Sequence, residues 1–162
     1  AGFELSIRHC NYDANKKKVL IIGAGGVVPS IIVALKKMNI EKIFVKNRSE
    51  NNALNLKKKF PEINLIDWNI TIDVDMIINA TSIGLKKGEK LDIDLKKFGE
   101  NKFFYDVIYN PKETNFLLDA RKLGNLAENG KMMFIYQAHQ AFSVWHKIFP
   151  VIDDEVIGIV EK

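Results

Sequence analysis

At 162 residues, 47% hydrophobic and 27% charged, the chain has the size and composition of one globular domain with a substantial core. No apolar run approaches the ~20 residues of a membrane span; residues 1–9 lack a basic then apolar leader, and Cys10 has no second cysteine to pair with, so a cytoplasmic, membrane-free protein is expected. The net charge of +4 comes mostly from short, separate lysine runs without interleaved aromatics, a pattern of solvated faces and not of a nucleic-acid surface.

Phe3, Ile7 and Cys10 recur at helical spacing and predict a helix over 2–12. Val19-Leu20-Ile21-Ile22 predicts a first strand, which enters the glycine turn Gly23-Ala24-Gly25-Gly26. Val28, Ile31, Ile32, Leu35 and Met38 then form an apolar helical stripe, with Pro29 in the first turn, where its missing N–H costs little, and Asn39 as the stop. A second strand is expected over 43–45. Ser49 is expected to cap a helix running to Lys59, with Leu54 and Leu56 inward and Pro61 beyond its end. Strands are read over 63–66, 75–79 and 103–107, with a polar loop over 80–88. A helix over 113–122 and a loop over 124–130 follow. A long helix over 132–148 carries Phe134, Ala138, Ala141, Phe142 and Trp145 on one apolar face, and a short helix over 151–162 opens at Asp153 and Asp154.

Strands alternating with helices predict an α/β fold: a doubly wound, Rossmann-like parallel sheet covered on both faces. Ligands of such sheets sit beyond the carboxyl ends of the strands, and each polar loop of interest follows a strand. A strand, a glycine turn and a helix suit a nucleotide diphosphate, because a helix start offers unpaired N–H groups and the positive end of its dipole. Val28 stands where a third glycine is expected, so the fingerprint is incomplete. An NAD site usually places an acid at the end of the second strand. Here Lys46-Asn47-Arg48-Ser49 offers no acid but a guanidinium able to grip a 2′-phosphate, which favours NADP. Asn79-Ala80-Thr81-Ser82-Ile83-Gly84 ends another strand in small hydroxyl residues that leave room for a flat ring or a ribose.

These segments, followed by Asp106-Val107-Ile108-Tyr109-Asn110-Pro111 with Thr114 and by Tyr136-Gln137-Ala138 with Phe142 and Trp145, occur in an order that resembles the NADP-binding domain of the shikimate dehydrogenases. The resemblance runs from Val19 to Ile148. It implies that Gly23, Ala24, Gly25, Gly26 and Val27 hold the pyrophosphate, and that Asn47, Arg48 and Ser49 hold the adenosine ribose and 2′-phosphate. It further implies that Thr81 and Ser82 border the cofactor, that Val107 and Gly130 lie beside the nicotinamide, and that Tyr109 and Gln137 contact shikimate or 3-dehydroshikimate. Ser49 replaces a usual Thr, Asn52 stands where a second basic residue is common, and Met132 where a glycine is frequent.

The family carries its catalytic Lys–Asp pair in a substrate domain that precedes this one. Gly2-Phe3 looks like the pair that follows the catalytic aspartate. The resemblance therefore implies an NADP-binding domain over 1–162, with 1–13 as a linker helix, that shares its substrate with a preceding domain and is inactive alone. It leaves open a homodimer of the longer enzyme. Within the chain no catalytic residue is assigned. His9, His139 and His146 read as surface or packing residues, and no histidine or cysteine has metal-ligand spacing. A non-catalytic NADP-binding module and a sibling enzyme, such as quinate dehydrogenase or glutamyl-tRNA reductase, are the alternatives.

Overall fold

The computed structural model describes residues 2–160. The first helix, α1 (Gly2–His9), leads into β1 (Lys18–Ile22), α2 (Val28–Lys37), β2 (Lys42–Lys46), α3 (Glu50–Lys59) and β3 (Asn64–Leu65). β4 (Met76–Asn79), a short 3-10 turn (Leu95–Phe98), β5 (Phe103–Asp106), α4 (Asn115–Lys122), β6 (Leu126–Glu128), α5 (Lys131–His146) and α6 (Asp154–Ile159) complete the order. The last residues of the helix expected over 151–162 lie outside the described residues.

The six strands form one sheet in the order β3-β2-β1-β4-β5-β6. Every pairing is parallel, with Ile22 opposite Lys46 on one side and Asn79 on the other. This is the doubly wound order, in which the chain reverses direction of travel across the sheet between β1 and β4.

β1 shows why the sheet is covered twice. Val19 and Ile21 pack among residues of α1, α2 and α3, while Leu20 and Ile22 pack with Leu95, Phe104, Phe116 and Leu117 on the other face. These four of the five β1 side chains are 0% exposed, so each contributes about 1.5–3 kcal/mol through burial. α2 buries Val28, Ile31, Ile32 and Leu35, and Asn39 ends it at a left-handed φ of 58°.

α1 lies on α5 and on β5. Phe3 meets the Tyr105 ring edge-on at 5.2 Å, and the Ser6 hydroxyl donates to the Phe3 carbonyl while sharing a 2.9 Å hydrogen bond with the Tyr105 hydroxyl. Burial pushes the Tyr105 phenol well above its ordinary range.

Four local expectations are corrected. Residues 124–130 are not all loop, because Leu126–Glu128 adds the edge strand β6. Leu54 is 44% exposed; residues two apart point to opposite sides of a helix, and α3 buries Ala53 and Leu56 instead. Ser49 occupies the N-cap position of α3, but its side chain makes no capping bond. The Phe134–Trp145 face of α5 is the exposed one: Met132, Met133, Ile135 and Ser143 are buried, whereas Trp145 is 79% exposed.

Candidate functional site

Because every strand is parallel, the loops that leave the carboxyl ends of β1, β2, β4, β5 and β6 meet along one edge of the sheet. The glycine turn after β1 sits at the point of reversal. Gly23 donates its N–H to the Lys46 carbonyl (2.8 Å), and the neighbouring Ala80 N–H donates to the Ile22 carbonyl (2.8 Å). Gly23 adopts φ +114°, and a methyl group there would stand 2.8 Å from the Ala80 carbonyl oxygen. This position needs glycine for both its conformation and its packing.

Gly25 and Gly26 differ: both are exposed, and a methyl group at either would meet no protein atom within 4 Å. The backbone there is open to approach from outside. Val27 is the N-cap of α2 and supplies no side-chain capping bond; the Val28 N–H is taken by the Gly25 carbonyl (3.1 Å) and Pro29 has none, so the helix start offers fewer backbone amides to an anion than a usual first turn.

At the end of β2 the Asn47 amide donates to the Ser49 carbonyl (2.8 Å), bending the chain into α3. Arg48 is exposed and has no carboxylate partner among the described residues. Its guanidinium carbon lies 5.1 Å from the centre of the Trp68 ring. Sequence reasoning missed Trp68, which lies beyond β3 with no local pattern to mark it.

The loops after β4 and β5 are joined by a buried polar network. Asn79 Oδ1 accepts from the Thr81 N–H (3.1 Å) and the Thr81 hydroxyl (2.7 Å), and Thr81 Oγ1 accepts from the Ile83 N–H (3.1 Å). Asn79 Nδ2 donates to Asp106 Oδ1 (3.2 Å), which also accepts from the Ile108 N–H (3.0 Å). Asp106 Oδ2 accepts from the Thr114 hydroxyl (2.7 Å), and Thr114 caps α4 by accepting from the Leu117 N–H. Burial raises the Asp106 carboxyl above its ordinary value, against the hydrogen bonds from Thr114, Ile108 and Asn79, which lower it. Asp106 is a fully engaged strand-end anchor. Thr81 likewise spends its hydroxyl inside the loop, whereas Ser82 is exposed.

Val107 and Gly130 are in direct contact, because a methyl group at Gly130 would overlap the Val107 carbonyl. Tyr109 is 36% exposed and stacks on Phe134 of α5, with centroids 4.6 Å apart and planes at 19°. Gln137, on the same helix, is exposed and lies against the start of α1: a methyl group at Gly2 would stand 2.5 Å from Gln137 Cγ.

The histidines have surface partners: His9 Nδ1 lies 3.3 Å from the Tyr136 hydroxyl, and His139 Nε2 lies 2.8 Å from the Pro150 carbonyl. A carbonyl only accepts, so that His139 nitrogen carries the proton. Among the described residues no group of three or more His, Cys, Asp or Glu side chains is placed to hold a metal ion, and no helix is long and apolar enough to cross a membrane.

The sheet order, the pinned glycine turn and the open surface over Gly25 and Gly26 define an α/β domain of the Rossmann-like, dinucleotide-binding class. Residues 4–111 match the shikimate / quinate 5-dehydrogenase family, and the chain belongs to that family. It is 58% identical over 160 residues to the shikimate dehydrogenase (NADP(+)) of Pelagibacter ubique, covering 99% of this chain and 60% of that protein. The chain therefore spans about three-fifths of the length of that curated relative. Among solved structures, a chorismate mutase/shikimate 5-dehydrogenase fusion protein from Clostridium acetobutylicum superposes with a TM-score of 0.86 at 28% identity, over 99% of this chain and 59% of that one. A shikimate dehydrogenase solved in complex with NADP+ superposes with a TM-score of 0.81 at 28% identity, over 99% of this chain and 57% of that one.

Proposed function

We propose that residues 1–162 are the NADP-binding domain of a shikimate dehydrogenase, the oxidoreductase that reversibly reduces 3-dehydroshikimate to shikimate, with residues 1–13 linking it to a substrate domain. The observation that carries the cofactor assignment is Arg48: an exposed guanidinium without a carboxylate partner at the end of β2, where an NAD site would carry an acid. The family membership and the NADP-dependent relative support the same reading.

NADPH, when bound, supplies the hydride. In this reading Gly25 and Gly26 let the backbone approach the pyrophosphate, with Gly23, Ala24 and Val27 shaping the turn. Arg48 grips the 2′-phosphate while Asn47 and Ser49 hold the ribose beside it. Ser82 offers the exposed hydroxyl of the loop after β4 and Thr81 holds that loop in place. Val107 and Gly130 form the wall beside the nicotinamide. Tyr109 and Gln137 bring a phenol and an amide to the substrate, groups that bond a carboxylate or ring hydroxyl while staying neutral. The one buried carboxylate at this edge among the described residues, Asp106, has both oxygens committed, so the proton of the reaction is assigned to a group outside this domain.

Titration calorimetry with NADPH and NADH tests the reading. NADPH should bind about tenfold or more tighter, the worth of a charge-assisted phosphate contact, and Arg48→Ala should erase most of the difference. Equal affinities in the unmodified protein would overturn it. Shikimate oxidation by residues 1–162 alone at an ordinary enzymatic rate would overturn the assignment of the proton donor.

A further inference from the structure

Two cations at the end of β2 converge on one residue of a distant loop. Arg48 lies over the Trp68 ring at 5.1 Å. Lys46, 1% exposed, donates from Nζ to the Trp68 carbonyl (3.1 Å) and to the Ile70 carbonyl (2.6 Å). Trp68 and Ile70 belong to the stretch between β3 and β4, which has no strand or helix of its own. A buried ammonium is costly unless its protons are bonded, and this one is met by carbonyls alone, with no carboxylate partner among the described residues. An apolar side chain would fill the same space without that cost. What the ammonium adds is a fixed position for the backbone that carries the indole.

An exposed, unpaired arginine samples many rotamers, and a ligand that captures it must offset the lost freedom. A flat aromatic face beneath the guanidinium narrows that ensemble while leaving the N–H edge free for an anion. Building on the cofactor assignment above, we propose that Trp68 is a specificity-determining platform that presents Arg48 to the 2′-phosphate of NADP, and that Lys46 is the positioning residue that holds Trp68 under it.

The test is a set of NADPH and NADH titrations of the full chain, each variant first shown to be folded by circular dichroism. Trp68→Leu keeps apolar volume but removes the π face; it should weaken NADPH about tenfold and leave NADH within about twofold. Trp68→Phe should restore most of the preference. Lys46→Met should lower the NADPH preference without abolishing it, since it removes only the anchor. An unchanged NADPH:NADH ratio in Trp68→Leu, or equal loss of both cofactors, would overturn the platform, the second result making Trp68 a general contact. If the unmodified protein shows no preference, or Arg48→Ala leaves it intact, the cofactor assignment itself fails and this inference falls with it.

Discussion

Gly130 packs its α-carbon onto the backbone of Val107, so closely that a methyl group at 130 would stand 2.6 Å from the Val107 carbonyl carbon. The Gly130 N–H also donates to the Ile108 carbonyl at 3.1 Å. These contacts bind the start of α5, which carries Gln137, to the loop after β5, which carries Tyr109. Gly130→Ala is expected to cost about 1–3 kcal/mol, the usual penalty for forcing volume into a packed site. On the proposed function, the same change in the whole protein should raise KM for shikimate more than it lowers kcat. Urea denaturation and steady-state kinetics check the two halves, and an unshifted denaturation midpoint would contradict the packing argument.

The two kinds of glycine in the turn after β1 should separate cleanly. Gly23→Ala meets both a positive φ and the Ala80 carbonyl, so a loss of about 1–3 kcal/mol is expected. Gly25→Ala enters open space, and its thermal midpoint should stay level or rise slightly, because alanine reduces the freedom of the unfolded chain. In the proposed cofactor site NADPH affinity should nonetheless fall in Gly25→Ala, since the methyl would occupy the approach assigned to the pyrophosphate. Calorimetry showing wild-type affinity in a stable Gly25→Ala variant would remove that surface from the cofactor site.

The buried Asp106 carboxyl makes a prediction with a definite sign. Its folded-state value is raised above the ordinary 3.8, so the folded protein holds the proton more tightly than the unfolded chain. Its contribution to stability therefore falls as pH rises through that window and is level above it. Asp106→Asn lacks this component, so the wild type should gain on the variant as pH is lowered from 7 toward ~4. Asp106→Ala removes every acceptor and strands the Ile108 N–H, with an expected loss of about 3 kcal/mol at all these values. Urea midpoints for the three proteins across that range decide the matter.

Tyr109→Phe deletes one hydroxyl and leaves the stack on Phe134 intact. Stability should stay within about 0.5 kcal/mol of wild type. On the proposed function, KM for shikimate in the whole protein should rise about tenfold, with NADPH affinity unchanged. A normal KM would exclude the phenol from the substrate contacts.

The elements most legible in the sequence were those whose pattern has one reading. An unbroken apolar run against a glycine turn, as at Val19 to Gly23, is a strand buried on both faces, and β1 is that. The helix stop at Asn39 follows equally from residue chemistry. β6 was hidden because it is three residues long with only Ala127 buried. On α5 the chain carries two apolar faces, and periodicity cannot choose between them; α1, by covering Met133, does. Ser49 has the chemistry of a cap, but its carbonyl instead receives the Asn47 amide. The pairing of Lys46 with Trp68 joins a strand end to a loop 22 residues away, beyond the reach of any local motif.

The close seating of Gly2 on Gln137 has a mechanical consequence. With no side chain at Gly2, the start of α1 seats directly on the backbone of α5 and the stem of Gln137. The Ser6–Tyr105 hydrogen bond fastens the same helix to β5, the strand next to the β6 edge of the sheet. Any side chain at position 2 would therefore push α1 off α5 at Met133 and Gln137.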